Sequence, residues 1–356
     1  MTWIGSLVTI NPADFLQDRR GDGRVNGSEG RWAMLELRGG QGGNVKGQMS
    51  KVKCVRRRKR GSASPRRANE YHADVYPSES PSDTQVRLAH PIQLVAVDLD
   101  GTLLTDSKQV SAQTVAAFAG LPARGIKVVI ASARPPRSVR HIYQLLKLDT
   151  WQINYNGALI WDEGTHTPIF HRPLTKGTPR RIISDARDLF PEVQVTCEIL
   201  DRWFTDRFDP AHITETGKLF KPDVIAPLDE FVDWQITKLM FLADARVITK
   251  LEEAIGPAYQ DEVSVVRTDD NLLQIMHKKV SKAVALQIVA KHYEVSLENV
   301  MAIGDAPNDV GMLQVAGVSI AMDNAHRLVK RVADWVAPSN NDHGVHAALV
   351  RYGLCE

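Results

Sequence analysis

The strongest constraint on the fold is a repeated pattern in which a short apolar run ends in polar residues and an amphipathic segment follows. Three such runs are "IQLVAVDL", "IKVVIASA" and "NVMAIGD". Apolar runs of this length are typical of strands that are buried on both faces of a parallel sheet. Because strands that alternate with helices indicate βαβ units, we expect an α/β fold with a doubly wound, Rossmann-like parallel sheet.

The alternation of strands and helices is interrupted in the middle of the chain. Between about residues 175 and 269, a predicted helix leads to the strand-like runs "VQVTCEIL", "RWFTD", "ITKLMFLA" and "EVSVVRT". This arrangement favours a separate α+β module, after which the strand–helix alternation resumes. We therefore predict a core domain of residues 91–174 plus 270–356, with an inserted α+β cap domain of residues 175–269.

Residues 1–90 differ in composition from the rest of the chain. They are rich in glycine, serine and proline, and they carry 16 Lys and Arg against 9 Asp and Glu. The run "VRRRKR" could be a patch for nucleic acid or nuclear targeting, although a solvated tail is the more common meaning of such a run. Because the segment has no continuous apolar periodicity, we expect a disordered extension.

The rest of the chain has a different charge balance, with 28 basic and 33 acidic residues. A net charge of −5 argues against nucleic acid as the partner of the folded body. The sequence has no run of 18 apolar residues, so we expect no membrane span. The three cysteines form no Cys-x-x-Cys pair, and the first ten residues lack the features of a secretory signal, which together favour a reducing, cytoplasmic location.

The first candidate site residues are Asp98 and Asp100, which come directly after the first predicted strand. Side chains two residues apart lie on the same side of an extended chain, so both carboxylates could converge on one point. Two carboxylates at the carboxyl end of a parallel strand can hold a hard cation or divide nucleophilic and acid/base work. An EF-hand calcium loop is excluded, because the twelfth position from Asp98 is Gln109.

Two further candidates could bind an anion. Ser132 follows the second predicted strand, where a hydroxyl and free backbone amides suit a phosphate. Lys282 lies near the start of a helix predicted over residues 280–292, where its charge could neutralise a phosphate. Taken alone, each is a weak signal, and Arg134 is interpreted as a surface or packing residue.

The last constellation is "GDAPND", which follows a buried strand. Asp305 ends that strand, and Asn308 and Asp309 open the next helix. Asp309 could be a helix N-cap, but Asp305 has no comparable structural explanation. An acidic pair at a strand end is costly unless a cation compensates it, so the combined motifs predict a site for magnesium and a phosphoryl group.

These residues also carry a family resemblance. Over roughly residues 92–352, the chain resembles the haloacid dehalogenase superfamily and, within it, the Cof-type phosphatases. The matching segments are "DLDGTLL", "ASAR", "NYNGA", the helix near Lys282 and "GDAPNDVGMLQVAGVSIAMDNA". The resemblance implies a Mg²⁺-dependent phosphatase that acts on a small-molecule phosphate ester through an aspartyl-phosphate.

The resemblance also implies a role for each matching residue. Asp98 matches the nucleophile, and Asp100 matches the acid/base that protonates the leaving oxygen and then activates water. The positions that match phosphate-binding residues are Ser132, Lys282, Asn308 and Asn156. The positions that match the metal site are Asp98, Asp100, Asp305 and Asp309.

The resemblance leaves the substrate and one chemical alternative open. Ala133 and Ala283 stand where the family usually has glycine, which could alter how closely the backbone approaches the substrate. A sugar phosphomutase would use the same chemistry, and a non-catalytic sensor of a phosphorylated ligand would keep the fold. Specificity should come from the cap, where the candidates are Trp203, Phe204, Arg207 and Lys238, each more often a packing or surface residue when taken singly.

Overall fold

The computed structural model describes residues 88–356, so the expected disordered extension lies almost wholly outside the described residues. The helices are α1 (Ala112–Gly120), α2 (Pro136–Leu146), α3 (Thr178–Leu189), α4 (Glu215–Leu219), α5 (Ala245–Ala258), α6 (Lys282–His292), α7 (Val310–Val315), α8 (Arg327–Lys330) and α9 (Gly344–Arg351). The strands are β1 (Leu94–Val97), β2 (Lys127–Ile130), β3 (Gln152–Asn154), β4 (Leu159–Asp162), β5 (Thr167–His171), β6 (Gln194–Ile199), β7 (Arg202–Thr205), β8 (Val224–Ile225), β9 (Lys238–Leu242), β10 (Val263–Asp269), β11 (Leu272–His277), β12 (Val300–Gly304), β13 (Val318–Met322) and β14 (Trp335–Ala337).

The core domain is built on a five-stranded sheet with the order β14-β13-β12-β1-β2. Every neighbouring pair in this sheet is parallel. β1 lies between β12 and β2 and is fully buried, as its continuous apolar sequence predicts. Because β1 is paired with β12, the segments that follow these two strands leave the sheet side by side at its carboxyl edge. The predicted doubly wound α/β core is confirmed.

Helices complete the core around this sheet. α1 contacts α2 and α9, whereas α6 contacts α7, so the helices form two groups. Serine residues are the N-caps of both α1 and α6. The hydroxyl of Ser111 accepts a hydrogen bond from the N–H of Thr114, and that of Ser281 accepts one from the N–H of Val284. Within residues 88–356, none of these helices combines the length and the apolar character that crossing a membrane requires.

A second, antiparallel sheet of three strands, β3-β4-β5, lies beside the core sheet. It is joined to the core by a parallel bridge between Ala131 and Ile153. The turn between β3 and β4 holds two residues with left-handed backbone, Tyr155 at φ +49° and Asn156 at φ +56°. Bulky residues adopt this conformation rarely, and such strain is often found at functional sites.

The cap domain contains a six-stranded sheet with the order β10-β11-β9-β6-β7-β8. One face of this sheet is apolar and packs on α3 and α5, with Cys197, Phe241 and Ile275 in its core. The opposite face carries buried polar side chains, including Thr196, Glu198, Lys238 and Gln274. A sheet face that buries charged groups needs partners for them, and these come partly from the core domain.

The C-terminal boundary of the cap lies further along the chain than the sequence predicts. β11 pairs with both β10 and β9, so residues up to His277 belong to the cap sheet. The predicted boundary after residue 269 is therefore wrong, because it cuts through the β10–β11 hairpin. The sequence LLQIMH is apolar enough for either sheet, and hydrogen bonding across the short Asp270–Asn271 turn decides between them.

Candidate active site

The centre of the candidate site is a buried lysine between two aspartates. The ammonium of Lys282 lies 2.5 Å from Asp98 Oδ1 and 2.6 Å from Asp309 Oδ1. The side chains of Lys282 and Asp309 are both fully buried. β1 brings Asp98 to this point, and Lys282 is the first residue of α6, so two distant segments of the chain meet here.

The charges of this group shift its proton equilibria. Burial raises the pKa of the Asp98 carboxyl, and the charges of Asp309 and Asp305 raise it further, so that it lies well above its ordinary value although Lys282 acts to lower it. Burial acts to lower the pKa of Lys282, but the charges of Asp309 and Asp98 outweigh this effect and raise it. The cluster therefore carries more negative charge than the single lysine compensates.

Asp309 also organises the loop after β12. Its Oδ2 accepts hydrogen bonds from the backbone N–H groups of Asp305 and Ala306, at 3.1 and 3.0 Å. A side chain at Gly304 would collide with it, since a Cβ there would lie 2.6 Å from Asp309 Cβ. Asp309 thus fixes the loop that precedes it and is a member of the charged cluster. Its side chain makes no cap hydrogen bond to α7, so the alternative interpretation as a helix N-cap is wrong.

Asp305 lies at the opening of the site. Its Oδ1 accepts a hydrogen bond of 2.9 Å from the hydroxyl of Thr102. Gly101 has φ +80°, and a Cβ there would lie 2.4 Å from Asp305 Oδ2, so only glycine allows this approach. Burial raises the pKa of Asp305 to about 6, against the hydrogen bond from Thr102 and with a contribution from the charge of Asp309.

Three of the predicted metal ligands are brought together. Asp98, Asp305 and Asp309 each offer a carboxylate oxygen, and these oxygens lie within 4.8 Å of one another. An oxygen-only donor set in which the pKa values of Asp98 and Asp305 are raised fits a hard divalent cation such as Mg²⁺, whose charge would stabilise the ionised carboxylates. The donor set therefore fits the metal that the sequence predicts.

The carboxylate of Asp100 does not belong to this three-carboxylate group, which corrects the expectation that it converges with Asp98 and Asp305. Arg134 donates to it twice, from Nε at 2.7 Å and from Nη2 at 2.6 Å, and Lys108 donates at 2.8 Å. β1 ends at Val97, so the rule that side chains two apart share a side does not extend to Asp100. Burial acts to raise the pKa of Asp100, but Arg134 and Lys108 outweigh it and lower the pKa.

Arg134 is therefore a site residue that sequence reasoning missed. Its side chain is only 14% exposed and forms an ion pair with Asp100, whereas the sequence favoured a surface or packing role. The signal that could have found it is its place two residues after Ser132, in the same turn at the end of β2. Its backbone N–H donates to Ser132 Oγ at 3.1 Å, which leaves the buried Ser132 hydroxyl free to donate.

The remaining predicted residues, Asn156 and Asn308, contact each other. Asn308 Nδ2 donates to Asn156 Oδ1 at 2.9 Å, and the backbone N–H of Asn156 donates to the carbonyl of Ser132 at 3.0 Å. Next in the same turn, Gly157 packs against the start of α6, where a Cβ would lie 2.3 Å from the carbonyl oxygen of Ser281. The strained turn after β3 thus connects the loops that hold Ser132, Lys282 and Asn308.

The four cap candidates are distributed over different environments. Phe204 packs in the apolar core against Phe231, as the packing interpretation holds. Arg207 pairs with Glu192 and Asp206. Trp203 is buried and its indole N–H has no hydrogen-bond partner among the described residues. Lys238 is buried on the polar face of the cap sheet.

The fold agrees with a comparison to known protein families. A family model described as haloacid dehalogenase-like hydrolase matches residues 95–349 of this chain. The chain belongs to this family. The match spans both segments of the core domain and the whole cap, which agrees with the fold class and the resemblance derived from the motifs.

Individual relatives support the same assignment. The phosphatase YwpJ from Bacillus subtilis is 30% identical over 71% of this chain and 97% of its own length. A phosphatase from the same organism, YitU, is 28% identical over 73% of this chain and 97% of its own length. The crystal structure of TM0651 from Thermotoga maritima has a TM-score of 0.65 and 28% identity, and covers 73% of this chain and 97% of that one. The protein is a hydrolase of phosphoric monoesters.

Proposed function

We propose that the protein is a Mg²⁺-dependent phosphatase that hydrolyses small phosphorylated metabolites through an aspartyl-phosphate intermediate. The observation that carries this proposal is the contact of Lys282 with both Asp98 and Asp309, next to Asp305. A buried group with three carboxylates and one lysine is costly for stability, and it is well suited to bind a cation together with a phosphoryl group.

Asp98 is the nucleophile in this proposal. One oxygen of its carboxylate attacks phosphorus, an O–P bond forms, and the bond from phosphorus to the leaving oxygen breaks. In the second step, water attacks the aspartyl-phosphate, inorganic phosphate leaves and the carboxylate is restored. Lys282 contacts Oδ1 of Asp98 and so orients the carboxylate for attack.

Asp100 serves as the acid and base. It gives a proton to the leaving oxygen in the first step and takes one from the attacking water in the second, so protons balance over the cycle. The ion pair with Arg134 and Lys108 lowers the pKa of Asp100 and favours the ionised form, which is the form that accepts the proton from water. Two parallel hydrogen bonds from Arg134 also fix the orientation of this carboxylate.

Four residues bind the phosphoryl group. Ser132 offers its hydroxyl hydrogen, and Lys282 offers a positive charge that is already fixed in place. Asn308 and Asn156 hold each other at the opening of the site, where the exposed Asn308 amide can exchange its partner for a phosphoryl oxygen. Asp98, Asp305, Asp309 and the backbone carbonyl of Asp100 would hold Mg²⁺, which supplies charge neutralisation for the phosphoryl oxygens.

The proposed substrate class is a small phosphate ester of the sugar-phosphate kind. YitU is named as a 5-amino-6-(5-phospho-D-ribitylamino)uracil phosphatase, and its similarity to this chain spans 97% of its own length. Its substrate is a phosphorylated polyol derivative of small size. The buried polar face of the cap sheet is the kind of surface that could bind the hydroxyl groups of such a molecule.

The test of this proposal is the variant Asp98→Asn. An amide keeps the shape of the side chain but is a very poor nucleophile, so hydrolysis of p-nitrophenyl phosphate with Mg²⁺ should fall at least a thousandfold, roughly 4 kcal/mol. The matched control is Asp106→Asn, which changes an exposed carboxyl in the same loop and should leave the rate within twofold. A variant at position 98 that keeps a tenth of the wild-type rate would show that another group is the nucleophile.

A further inference from the structure

A buried group of charged side chains lies between the core and the cap, outside the residues that bind the phosphoryl group and the metal in the proposed function. It consists of Arg137 on α2, Glu198 on β6, Lys238 on β9 and Tyr155 in the strained turn after β3. Each of the four side chains is less than one tenth exposed. We name these four residues the junction cluster.

The guanidinium of Arg137 has more N–H donors than the surrounding described residues provide acceptors for. Its Nη2 donates to both carboxylate oxygens of Glu198, at 2.7 and 2.8 Å. Its Nε and Nη1 are buried and have no hydrogen-bond partner among the described residues. The nearest further carboxylate, that of Asp201, lies 3.7 Å from Nη1, which is beyond hydrogen-bond distance. A buried guanidinium with two unpaired N–H groups is costly, and an acceptor from outside the chain would relieve that cost.

Lys238 adds a second buried cation with little compensation. Its side chain is 6% exposed, and its ammonium lies over the ring of Tyr155, 5.0 Å from the ring centroid. Burial lowers the pKa of Lys238 to about 8, although the charge of Glu198 acts in the opposite direction. The side chain is therefore mostly protonated at pH 7. Glu198 is already engaged by Arg137 and by the hydroxyl of Tyr155 at 3.1 Å.

The junction cluster adjoins the candidate active site. Tyr155 directly precedes Asn156, and its backbone N–H donates to the carbonyl of Arg134 at 3.3 Å. Arg137 lies three residues after Arg134, in the first turn of α2. A ligand that places its phosphoryl group at Ser132 and Lys282 would therefore extend toward this cluster, where the cap sheet covers it.

We propose that the junction cluster is a subsite for a second anionic group of the substrate, a carboxylate or a second phosphate, bound by Arg137 and Lys238. This rests on the proposed function, because the first anionic group is the phosphoryl group that is hydrolysed. The unpaired Nε–H and Nη1–H groups of Arg137 lie on different edges of the guanidinium plane, on either side of the Nη2 that binds Glu198, so each can donate singly to an oxygen of a ligand. A neutral polyol would add no negative charge beside Arg137 and Lys238, which share the one carboxylate of Glu198 within the cluster.

The first experiment compares matched esters on the wild-type protein at pH 7 with Mg²⁺. One pair is 3-phosphoglycerate and glycerol 3-phosphate, which differ by a carboxylate in place of a hydroxymethyl group. The other pair is fructose 1,6-bisphosphate and fructose 6-phosphate, which differ by a second phosphate. We expect kcat/KM to be at least tenfold higher for the anionic member of one pair, and the pair that shows the preference identifies the anion.

The second experiment assigns that preference to the cluster. In the variant Lys238→Met, the ratio of kcat/KM for the anionic ester to that for the neutral ester should fall at least fivefold. The matched control is Lys250→Met, which changes an exposed lysine on the outer helix α5 and should leave the ratio unchanged. Arg137→Lys keeps the charge but removes the unpaired Nε–H and Nη1–H donors, and it should lower the same ratio.

A third measurement needs no variant and applies even if the substitutions prevent folding. Glycerate should inhibit the hydrolysis of p-nitrophenyl phosphate by the wild-type protein at lower concentration than glycerol does. A wild-type protein that hydrolyses both neutral esters as well as their anionic partners, and that glycerate does not inhibit, would overturn the subsite. Failure to hydrolyse any ester, p-nitrophenyl phosphate included, would instead contradict the proposed function itself.

Discussion

Arg134 and Asp100 form an ion pair with two parallel hydrogen bonds, of 2.7 and 2.6 Å. The pair joins the ends of β2 and β1, and Lys108 adds a third hydrogen bond to the same carboxylate. A carboxylate held in this way has a fixed orientation, and it is held apart from the three carboxylates around Lys282. The two acidic residues of the first motif thus have separate partners and separate electrostatic environments.

The variant Arg134→Gln should therefore impair the acid/base step more than substrate binding. Loss of the fork frees the carboxylate of Asp100 to rotate, and it removes the main influence that lowers the pKa of Asp100. We expect kcat for p-nitrophenyl phosphate to fall by about tenfold to a hundredfold, a part of what a general acid or base typically contributes. Steady-state kinetics measure this effect, and the exposed Arg327→Gln serves as the control. An unchanged kcat would show that Asp100 does not depend on this partner.

The Arg134–Asp100 pair also shows what the sequence could not predict. Four short motifs were enough to predict the parallel sheet and the meeting of Asp98, Lys282, Asp305 and Asp309 at its carboxyl edge. The partner of Asp100 lies 34 residues away, and an arginine after a strand is compatible with solvent, packing or an ion pair. Which of these occurs depends on side-chain geometry that local patterns do not contain.

The error at the end of the cap has a different cause. β11 has the same apolar character as a core strand, and it is followed directly by the helix that returns to the core. Periodicity indicates that such a segment is a buried strand, but it does not indicate which sheet the strand joins. The tight turn at Asp270 and Asn271 makes β11 the antiparallel partner of β10, and long-range pairing with β9 completes the sheet.

The variant Lys282→Met should lower stability as well as activity. It leaves the buried carboxylates of Asp98 and Asp309 without their cation, and breaking a buried ion pair in this way costs on the order of 3 kcal/mol. Urea unfolding measures the loss, and Lys291→Met, on the exposed side of the same helix, is the matched control. Added Mg²⁺ should recover more stability in Lys282→Met than in the wild type. Equal unfolding midpoints for the two variants would contradict this account.

Metal dependence provides an independent prediction. EDTA should stop hydrolysis and Mg²⁺ should restore it, because the three-carboxylate group offers only oxygen donors. Ca²⁺ should restore it poorly, since it prefers more ligands and longer bonds, which would disturb the alignment of Asp98 with phosphorus. Asp305→Ala should raise the Mg²⁺ concentration needed for half-maximal activity or abolish activity. Full activity after dialysis against EDTA would rule out the proposed metal role.

Stability should also fall in mild acid because of His171. Burial lowers the pKa of His171 to about 4, and its Nε2 lies 2.8 Å from the hydroxyl of Thr237, which already accepts the N–H of Leu200. The unfolded chain binds a proton at this residue near pH 6.5, whereas the folded chain does so only near pH 4. The contribution of His171 to the free energy of unfolding should therefore decrease by on the order of 2–3 kcal/mol as the pH falls through this window, whereas the raised pKa values of Asp98 and Asp305 act in the opposite direction.

The measurement is urea unfolding between pH 7.5 and 4.5 for the wild type and for His171→Gln. The variant cannot gain a proton at this position, so its stability should depend less steeply on pH over that range. His166→Gln changes an exposed histidine of the same hairpin and should keep the wild-type slope. Identical slopes for all three proteins would show that His171 is not responsible for the loss.

The close approach of Gly157 to Ser281 has a consequence for how this protein could be re-engineered. Gly157 lies before the cap in the chain and Ser281 lies after it, yet a single methyl group would not fit between them. The chain that runs through β4, β5 and the cap therefore returns to almost the point from which it left the core. A chimera that receives a foreign cap would need to preserve this glycine and the serine that begins α6, together with the contact between Arg137 of the core and Glu198 of the cap. Recombination between relatives at these positions should accordingly exchange substrate preference while the phosphoryl-transfer centre stays intact.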